Sequence, residues 1–338
     1  MAPEAERGGC RAGADPRHGA AAGSRRGGRV KGAPVPDAAR SRALARTLGR
    51  AGVWTFAFDE QPPDAIRGAA REIEAMGYPA LWLPEGMGSR EIFSHLSLLL
   101  GATERLVACS GILNVGARHA ITTALGARTL AEAYPDRVVI GMGAGHEYQA
   151  EVRGTSYARP LTRMRAYLDA MASPEARGDA TGGTAPILLA ALGDRMLELA
   201  AERTLGAHTY FVPPEHTSRA RERLGPDAVL AVEQTVVLRA DREAGERIAR
   251  RFSADYLSLP NYANNLRRLG FGDEVVGSGS ERLVDATIVV GGVDRVRQRV
   301  RDHLDAGADH VCIQVIDDDE SDVGLPALRE LAPALLDL

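Results

Sequence analysis

From about residue 48 onward, short apolar runs rich in Val, Ile and Leu alternate with longer segments whose apolar residues recur at helical spacing. The short runs are continuously apolar, which is typical of parallel strands covered on both faces. Eight runs are predicted as strands: Gly52–Ala57, Ala80–Pro84, Leu106–Ser110, Val138–Met142, Pro186–Ala191, Ala207–Val212, Leu230–Leu238 and Val311–Ile316. Eight strand–helix alternations in about 290 residues predict an α/β fold with a closed (β/α)8 TIM barrel, and an open doubly wound sheet is the alternative.

The segments between these strands carry the pattern of amphipathic helices. Residues 64–76 are predicted as a helix that stops at Gly77, because glycine commonly terminates helices. The apolar stripe of this helix consists of Ile66, Ala69, Ala70, Ile73 and Met76. The segments Ala120–Ala133 and Arg195–Arg203 show the same period.

Residues 258–292 interrupt the alternation. The sequence Pro-Asn-Tyr-Ala-Asn-Asn-Leu at residues 260–266 leads there into a Gly/Ser stretch at residues 277–280. We interpret this segment as an insertion before the last βα unit, and barrel enzymes place such elaborations beside the catalytic mouth. A structural or dimer-forming helical hairpin is the alternative.

Charge is unevenly distributed along the chain. Residues 1–46 carry ten Arg or Lys and four Asp or Glu, whereas residues 47–338 carry 31 and 41, so the net charge of −4 combines +6 with −10. The first segment is rich in Gly, Ala and Arg and has no apolar period, so it cannot offset its ordering entropy by burial. We therefore predict a disordered extension over 1–46 and a single barrel domain over 47–338. The acidic body argues against nucleic acid as a partner.

Composition narrows the class of protein further. The chain is 45% hydrophobic and 25% charged, and no stretch approaches the ~18–20 uninterrupted apolar residues of a transmembrane helix. The cysteines Cys10, Cys109 and Cys312 are far apart and form no CxxC pair, so neither a zinc site nor a disulfide framework is indicated. We predict a cytoplasmic protein that acts on a small molecule without a metal and without a membrane partner.

In a barrel, the side chains that act on a ligand come from the C-terminal ends of the strands. The candidates near these ends are Trp54-Thr55, Pro84-Glu85, Ser110-Gly111-Ile112-Leu113-Asn114, Gly141-Met142-Gly143-Ala144-Gly145-His146 and Ala191-Leu192-Gly193, with Gln234 in the seventh strand. Glycines recur in this set, and a glycine lets the backbone approach a flat ring or an anion closely.

The glycine-rich run that ends at His146 matches a dinucleotide-binding fingerprint only in part. The sixth position of GxGxxG is Gly or Ala, where this chain has His146, and no helix is clearly predicted to begin there. A Rossmann domain is therefore disfavoured.

The turn around Gly193 offers an anion site. Residues 191–196 run from a buried strand into a helix, and the free N–H groups at a helix start, together with the helix dipole, attract negative charge. The alternative is that Gly193 only makes the turn and Asp194 caps the helix.

His146 and Glu85 are the candidate proton-transfer residues. Histidine titrates near neutrality and can exchange a proton with a substrate during hydride transfer. A structural role for His146 and an ion pair between Glu85 and Arg90 are the alternatives. The chain has no nucleophile elbow, no HExxH and no second carboxylate at a telling spacing, so hydrolysis is not indicated.

Taken in order, the motifs resemble the luciferase-like monooxygenase superfamily and, within it, the F420-dependent oxidoreductases of actinobacteria. The resemblance covers about residues 48–318 and excludes the Arg-rich start. It rests on residues 48–55 (LGRAGVWT), 80–85 (ALWLPE), 110–114 (SGILN) with 117–119 (ARH), 131–137 (AEAYPDR), 189–193 (LAALG) and 307–314 (GADHVCIQ). Each piece is weakly specific, whereas their order and spacing together are quite specific.

This resemblance implies a deazaflavin, coenzyme F420, across the mouth of the barrel, with FMN as the alternative cofactor. It implies a non-prolyl cis peptide after the third strand, here Gly111–Ile112, that forms a bulge behind the ring. The residues it assigns to the cofactor are Trp54, Thr55, Ser110, Gly111, Ile112, Asn114, Arg118, Gly143, Ala144, Gly145, Ala191, Leu192, Gly193, Asp194 and Arg195, with the turn at 192–195 holding the tail phosphate. A homodimer is expected from the resemblance alone.

Two departures from the family bear on the substrate. The sugar-phosphate dehydrogenases of the superfamily carry a catalytic His where this chain has Gly86, and a Glu where it has His146. Their phosphate-binding lysines have no counterpart, because Lys31 is the only lysine in the chain. A sugar phosphate is therefore disfavoured as the substrate.

The leading hypothesis is hydride transfer between F420 and a small organic carbonyl, alcohol or activated alkene, with His146 as acid or base and Glu85 as the second proton-transfer candidate. The first alternative is an FMN-dependent monooxygenase of the same fold, since the cofactor supplies the hard chemistry. The second is a barrel that binds F420 or flavin without catalysis, because fold alone does not establish function.

Overall fold

A computed structural model describes residues 37–177, 183–273, 277, 279–319 and 321–338. Within these residues the strands are β1 (Ala51–Trp54), β2 (Ala80–Leu83), β3 (Val107–Asn114), β4 (Val138–Gly143), β5 (Ile187–Ala190), β6 (Gly206–Thr209), β7 (Val229–Val237), β8 (Ile288–Val290) and β9 (His310–Val315). All eight predicted strands are confirmed, with ends that shift by a few residues. The third differs most, because it continues past Ser110 to Asn114.

Eight of these strands close into a parallel barrel. Neighbours pair in the order β1 to β7, then β9, and β9 pairs back onto β1. This closure confirms the TIM barrel and excludes the open sheet. The ninth strand, β8, pairs only with the last residues of β7, beyond the end of β6. It lies inside the segment predicted as an insertion, where the apolar pattern predicted no strand.

The helices of the described residues flank this barrel. They are α1 (Ala38–Leu48), α2 (Pro63–Ala75), α3 (Ile92–Leu100), α4 (Ala120–Ala133), α5 (Glu147–Val152), α6 (Pro160–Met171), α7 (Pro174–Arg177), α8 (Asp194–Arg203), α9 (Pro214–Leu224), α10 (Arg242–Leu257), α11 (Pro260–Arg268), α12 (Glu281–Thr287), α13 (Val293–Asp305) and α14 (Leu325–Leu335). The predicted helices over 64–76, 120–133 and 195–203 are confirmed, and Gly77 follows the first of them at φ 98°.

The predicted extent of the disordered extension is wrong for residues 38–46. They belong to α1, which is capped by the side chain of Asp37 and buries Ser41, Leu44 and Leu48. The short apolar stripe of this helix was hidden among arginines, and its burial against the barrel outweighs the polar composition. The rest of that prediction falls on residues 1–36 and lies outside the described residues.

Two hydrophobic cores follow from the alternation of side chains along the strands. Residues such as Val53, Leu81 and Ile140 pack outward against the helices. Residues such as Trp82 and Cys312 lie in the second core, inside the barrel. The same alternation decides which side chains at the strand ends face the barrel axis.

The connection between β7 and β9 is the longest elaboration of the barrel. It consists of α10, α11, α12 and β8, followed by α13, which packs against α14 and β9 as an ordinary barrel helix does. Because α10 packs against α11, α12 and β8, the insertion begins before residue 258. Part of the predicted Gly/Ser stretch, Ser278, lies outside the described residues.

Candidate active site

A cavity of about 830 Å³ opens at the C-terminal ends of the barrel strands, which is within the range of small-molecule and cofactor sites. We name two parts of its lining. The glycine wall consists of Gly111, Ile112, Gly143, Ala144, Gly145, Ala191, Leu192 and Gly193. The tyrosine wall consists of Tyr210, Tyr256, Tyr262 and Gln314. The predicted residues Trp54, Thr55, Glu85 and His146 also line the cavity.

The glycine wall is open because β3, β4 and β5 direct minimal side chains toward the barrel axis. A Cβ atom on Gly111 would lie 2.5 Å from Nε1 of Trp54, and one on Gly143 would lie 2.7 Å from Cδ1 of Ile112. No real Cβ approaches another atom so closely, so a larger residue would displace its neighbour. The backbone of this wall therefore forms part of the cavity surface itself.

The predicted bulge after the third strand is confirmed. The Gly111–Ile112 peptide bond is cis, and the register of β3 against β4 shifts between Ser110 and Leu113. Glu85 spans the bulge, because its N–H donates to the carbonyl of Ile112 at 3.2 Å and its carboxylate accepts the N–H of Asn114 at 2.9 Å.

Glu85 is also one half of a buried ion pair. Both of its carboxylate oxygens accept hydrogen bonds from the guanidinium of Arg118. The two side chains are only 6% and 11% exposed. Arg118 additionally bonds Glu91 at 3.1 Å. The alternative pairing with Arg90 is wrong, since Arg90 donates instead to the carbonyls of residues 58 and 61.

This geometry favours a bracing role for Glu85 over proton transfer. Its carboxylate is already occupied by three donors, from Arg118 and the Asn114 backbone. Its catalytic role stays an untested prediction.

Asn114 lies behind the glycine wall rather than in it. Its amide donates to Oε1 of Gln149 at 2.8 Å and accepts the N–H of Gly116 at 2.8 Å. Gln149 also accepts the N–H of His146 at 3.0 Å. A Cβ on Gly145, which has φ 71°, would lie 2.3 Å from the Asn114 amide. Asn114 therefore fixes the turn that carries His146.

Four further predicted cofactor residues do not line the cavity. Ser110 is buried and donates to the carbonyl of Gly141 at 2.9 Å, which ties β3 to β4. Arg118 is held by Glu85, Asp194 is held by Arg219, and Arg195 is exposed. Direct contact of Ser110, Asn114, Arg118, Asp194 and Arg195 with a ligand in the cavity is not supported, whereas the other predicted positions are lining residues.

The turn into α8 has the geometry of an anion site. Gly193 is the N-cap of α8, and its φ of −100° and ψ of 149° leave the first N–H groups of the helix free of intrahelical partners. The alternative in which Asp194 caps the helix is wrong. Its carboxylate accepts two hydrogen bonds from Arg219, at 3.0 and 2.9 Å, and these hold its pKa below the usual value.

Arg268 adds a positive charge to this turn. It lines the cavity from α11, and its Nη2 lies 3.9 Å from the position of a Cβ on Gly193. Partial burial lowers the pKa of its guanidinium, and nearby Arg219 adds to that shift. The insertion thus supplies a cation that the sequence analysis did not assign.

His146 is half-buried at the end of β4, where its ring stacks on Tyr148 with centroids 6.0 Å apart and lies 5.9 Å from Tyr262. Burial lowers the pKa of His146, and a hydrogen bond with the side chain of Asn261 opposes that shift. Asn261 belongs to α11, so the insertion contacts His146 at one end and Gly193 at the other.

The tyrosine wall combines strand ends with the insertion. The hydroxyl of Tyr210 donates to Oε1 of Gln314 at 2.7 Å and lies 2.8 Å from the hydroxyl of Tyr256. Tyr262 packs edge-on against Tyr256 with centroids 5.2 Å apart. Burial raises the pKa of Tyr210 and Tyr256 well above the ordinary value, so both stay protonated.

Glu233 supports this wall from inside the barrel. It is 1% exposed, and its carboxylate accepts the hydroxyl of Thr235 at 2.6 Å and the N–H of Phe211 at 3.1 Å. Phe211 has φ 54°, a left-handed conformation that is rare for a bulky residue and here is held by this bond. Burial raises the pKa of Glu233 to about 7, although both hydrogen bonds oppose the shift.

Two buried groups lie at the floor of the cavity, on residues that are 2% exposed. Nε1 of Trp54 has no hydrogen-bond partner among the described residues, and the ring nitrogens of His208 have none there beyond the backbone of Ala231. Such groups are usually satisfied by water or a ligand. Burial lowers the pKa of His208 to about 3, so the ring is neutral. The floor therefore carries polar groups that are uncharged.

Comparison with known proteins assigns the chain to a protein family. The family model described as luciferase-like monooxygenase matches residues 43–310. The chain belongs to the luciferase-like monooxygenase family. The 5,10-methylenetetrahydromethanopterin reductase of Methanolobus tindarius is 22% identical over 302 residues, which cover 76% of this chain and 93% of the reductase. Members of this family are enzymes, and so is this chain.

Solved structures share the fold of this luciferase-like enzyme. An F420-dependent secondary alcohol dehydrogenase, in complex with an F420–acetone adduct, has a TM-score of 0.64 at 15% identity and covers 85% of this chain and 99% of its own. The oxygenating component of 3,6-diketocamphane monooxygenase from Pseudomonas putida, in complex with FMN, has a TM-score of 0.64 at 15% identity and covers 85% and 97%. At these identities the likeness establishes the fold.

The described part of this luciferase-like enzyme has no helix that is long and apolar enough to cross a bilayer. In the same residues, no group of three or more His, Cys, Asp or Glu side chains is placed to hold a metal ion.

The tyrosine wall of this luciferase-like enzyme was not among the site residues predicted from the sequence. One signal was present, since alternation along β6 places His208 and Tyr210 on the same face, and alternation along β9 does the same for Cys312 and Gln314. Tyr256, Tyr262 and Arg268 carried no comparable signal, because their position depends on how the insertion folds back over the barrel.

Proposed function

We propose that this protein is an F420-dependent oxidoreductase that transfers a hydride between the deazaflavin and a small organic substrate. The proposal rests on one observation: in the same cavity, the glycine wall leads to the N-terminus of α8, beside which Arg268 lies. A flat ring with a phosphate-bearing tail matches both features. The similarity in fold to the solved F420-dependent dehydrogenase supports the choice of cofactor.

The residues present fit such a ring. Gly111 and Gly143 present backbone rather than a side chain to the cavity, because a Cβ at either position would have no room, and the uncharged Nε1 of Trp54 and ring of His208 lie at the cavity floor. We assign the ring to Gly111, Ile112 and residues 143–145. These are the predicted cofactor positions that line the glycine wall.

The tail phosphate is assigned to the turn at residues 191–195. Free N–H groups of the α8 start and the charge of Arg268 attract an anion there. The Arg219–Asp194 pair keeps the first turn of α8 in place. In this assignment Asp194 and Arg195 contribute backbone N–H groups rather than side chains.

When bound, F420 supplies a hydride donor or acceptor at its ring. The chain supplies the proton transfer, which we assign to His146. Because burial lowers its pKa, the imidazole is neutral at physiological pH and can accept a proton from an alcohol. Its bond with Asn261 orients the ring, which Tyr148 and Tyr262 flank.

FMN is the second candidate cofactor. Its ring and phosphate match the same two features, and the similar diketocamphane monooxygenase is in complex with FMN. In that case the protein would act as a monooxygenase. The homodimer and the cytoplasmic location remain predictions.

A parallel fluorescence titration of the cofactor-free protein with F420 and FMN tests the assignment. We expect micromolar or tighter binding of F420 and at least tenfold weaker binding of FMN. The reverse preference would move the protein to the monooxygenases, and binding of neither would reject the proposal. Binding of F420 without turnover in a broad screen of ketones, alcohols and enones would indicate a carrier.

A second experiment tests His146. Once a substrate is found, His146→Ala is expected to reduce kcat by about a hundredfold, the usual contribution of a positioned acid or base, while F420 affinity stays within twofold. Unchanged kcat would show that His146 is not the proton-transfer residue.

A further inference from the structure

Gln314 presents an amide with unused donors to the cavity. It is 2% exposed, alternates along β9 with the outward residue Ile313, and lines the cavity. Its Oε1 accepts the hydroxyl of Tyr210 at 2.7 Å. Its Nε2 has no hydrogen-bond partner among the described residues. The two Nε2 protons are therefore available to a molecule in the cavity.

The orientation of this amide fixes the direction of the hydroxyl chain. An amide oxygen only accepts, so the single hydroxyl proton of Tyr210 goes to Gln314. The contact of 2.8 Å between the two hydroxyls then requires Tyr256 to donate to Tyr210. The resulting chain runs from Tyr256 through Tyr210 to Gln314 and ends at the unused Nε2 donors. Both tyrosines are buried and keep their protons, so the direction of the chain does not change with pH.

We infer that Nε2 of Gln314 binds the carbonyl oxygen of the substrate, and that Tyr210 and Tyr256 act as positioning residues for this amide. A site that offers a buried N–H donor discriminates against a ligand without an acceptor, because the donor then stays unpaired. Donors that hold a carbonyl oxygen also polarise it for reduction at carbon.

This inference deepens the proposed function and rests on it for the type of reaction. Among the substrate classes open to a hydride-transferring enzyme, it selects ketones, aldehydes and carbonyl-conjugated alkenes over alkenes without an oxygen. The binding step itself does not depend on which cofactor the protein uses.

Cyclohexanone and methylenecyclohexane form a matched pair of probes, since they differ only by oxygen against CH2. We would measure their affinities for the purified full chain by ligand-observed NMR, and record the side-chain amide signals of protein labelled with [15N]glutamine. The Gln314 signal is identified by its absence in Gln314→Met. In the wild type we expect cyclohexanone to shift this signal and to bind about three- to tenfold more tightly, the value of one net hydrogen bond.

The variants separate the donor from the shape of the site. Gln314→Met keeps an unbranched side chain without the donor, and the affinity ratio is expected to fall to about one. Tyr210→Phe removes the proton that fixes the amide, and the ratio is expected to fall in the same direction. Tyr78→Phe is the control, because its buried hydroxyl donates to the carbonyl of Leu328, outside the cavity. This control should leave the ratio unchanged.

Equal affinity of the two probes in the wild type, or an undiminished ratio in Gln314→Met, would overturn the inference. A shift of the Gln314 signal on adding F420, with no dependence of the probe ratio on residue 314, would place the amide against the cofactor and overturn it as well. Failure to bind F420 or FMN would reject the proposed function alone, since the probe measurement does not use either cofactor.

Discussion

The glycine wall comes from the ends of three consecutive strands, β3, β4 and β5, whereas the tyrosine wall joins the ends of β6 and β9 to helices α10 and α11. The first wall is shaped by what its residues lack, since a Cβ on Gly111 or Gly143 has no room. The second is shaped by rings and by the hydroxyl–amide chain that ends at Gln314. One half of the cavity is thus a surface of backbone and the other a surface of functional groups.

From this difference we infer that the glycine wall binds the cofactor and the tyrosine wall selects the substrate. A backbone surface accepts any flat ring of the right thickness, which suits a cofactor shared by many enzymes. A surface of donors and aromatic side chains on an insertion can change without disturbing the barrel, which suits substrate selection. Each wall is held in place by its own buried residues, so a substitution can perturb one wall without the other.

The support of the glycine wall is the buried pair of Glu85 and Arg118, and its loss should have the largest effect. Glu85→Ala leaves Arg118 buried without its main partner, so we expect a loss of about 3–5 kcal/mol in the free energy of unfolding. Urea denaturation measures this value. Glu202→Ala is the control, since its pair with Arg165 is 44% and 56% exposed and should contribute less than about 1 kcal/mol. Equal losses would mean that the bulge does not depend on Glu85.

The support of the tyrosine wall is Glu233, and its signature is a pH dependence. Its pKa rises from an ordinary 4.5 to about 7 on folding, so the folded state binds the extra proton. The resulting stability is fully present below pH 4.5 and is lost as the pH rises to about 7, by about 3 kcal/mol in total.

Glu233→Gln keeps an acceptor for Phe211 and a donor for Thr235 but does not titrate. The difference in unfolding free energy between wild type and this variant should therefore fall between pH 4.5 and 7 and stay flat above it. Buried histidines such as His208, whose pKa is lowered, change stability in the opposite direction, but they cancel in this difference. A difference that is independent of pH would show that Glu233 is already ionised in the folded protein.

Crowding behind the glycine wall should have a somewhat smaller effect. Gly145→Ala combines a left-handed backbone with a Cβ placed 2.3 Å from Asn114 and 2.6 Å from Gln149, so we expect a loss of about 2 kcal/mol and weaker cofactor binding. Gly154→Ala is the matched control, because its φ of 63° is similar and, apart from its chain neighbours, no atom of the described residues lies within 4 Å of its Cβ position. Thermal denaturation of both variants separates crowding from backbone strain. Identical losses of stability in the two variants would show that crowding against Asn114 does not contribute to the loss.

The smallest expected effect is electrostatic: a loss of affinity only for a ligand that carries a phosphate. Arg268→Gln is expected to weaken FMN binding about tenfold and riboflavin binding by less than twofold, since one charge–phosphate contact contributes about 1–2 kcal/mol. Arg267→Gln is the control, because Arg267 is bound to Asp273 and Asn264 and does not line the cavity. An equal loss for both ligands would place Arg268 at the ring rather than at the phosphate.

The pattern of the sequence predicted the barrel because continuous apolar runs and amphipathic segments are local consequences of burial on both faces of a parallel sheet. It also predicted where the glycine wall lies, because that wall follows directly from the ends of successive strands. The cis bond at Gly111–Ile112 was predicted from the family resemblance and is confirmed. Local composition misled the prediction at α1, where three buried residues outweigh an arginine-rich surrounding.

Only the tertiary structure decided which of the predicted residues reach the cavity and which brace it. Asn114 and Asp194 stand next to lining residues in the sequence, whereas Glu85 lines the cavity and also braces the bulge. Their partners Gln149, Arg219 and Arg118 come from other elements. Tyr256 and Arg268 enter the site because the insertion folds back over the barrel, bringing together residues far apart in the chain. By itself the sequence determined the strand and helix segments and the glycines at the strand ends, since these depend on local order. Long-range packing decided the closure of the barrel, the tyrosine wall and the hydrogen bonds that orient it.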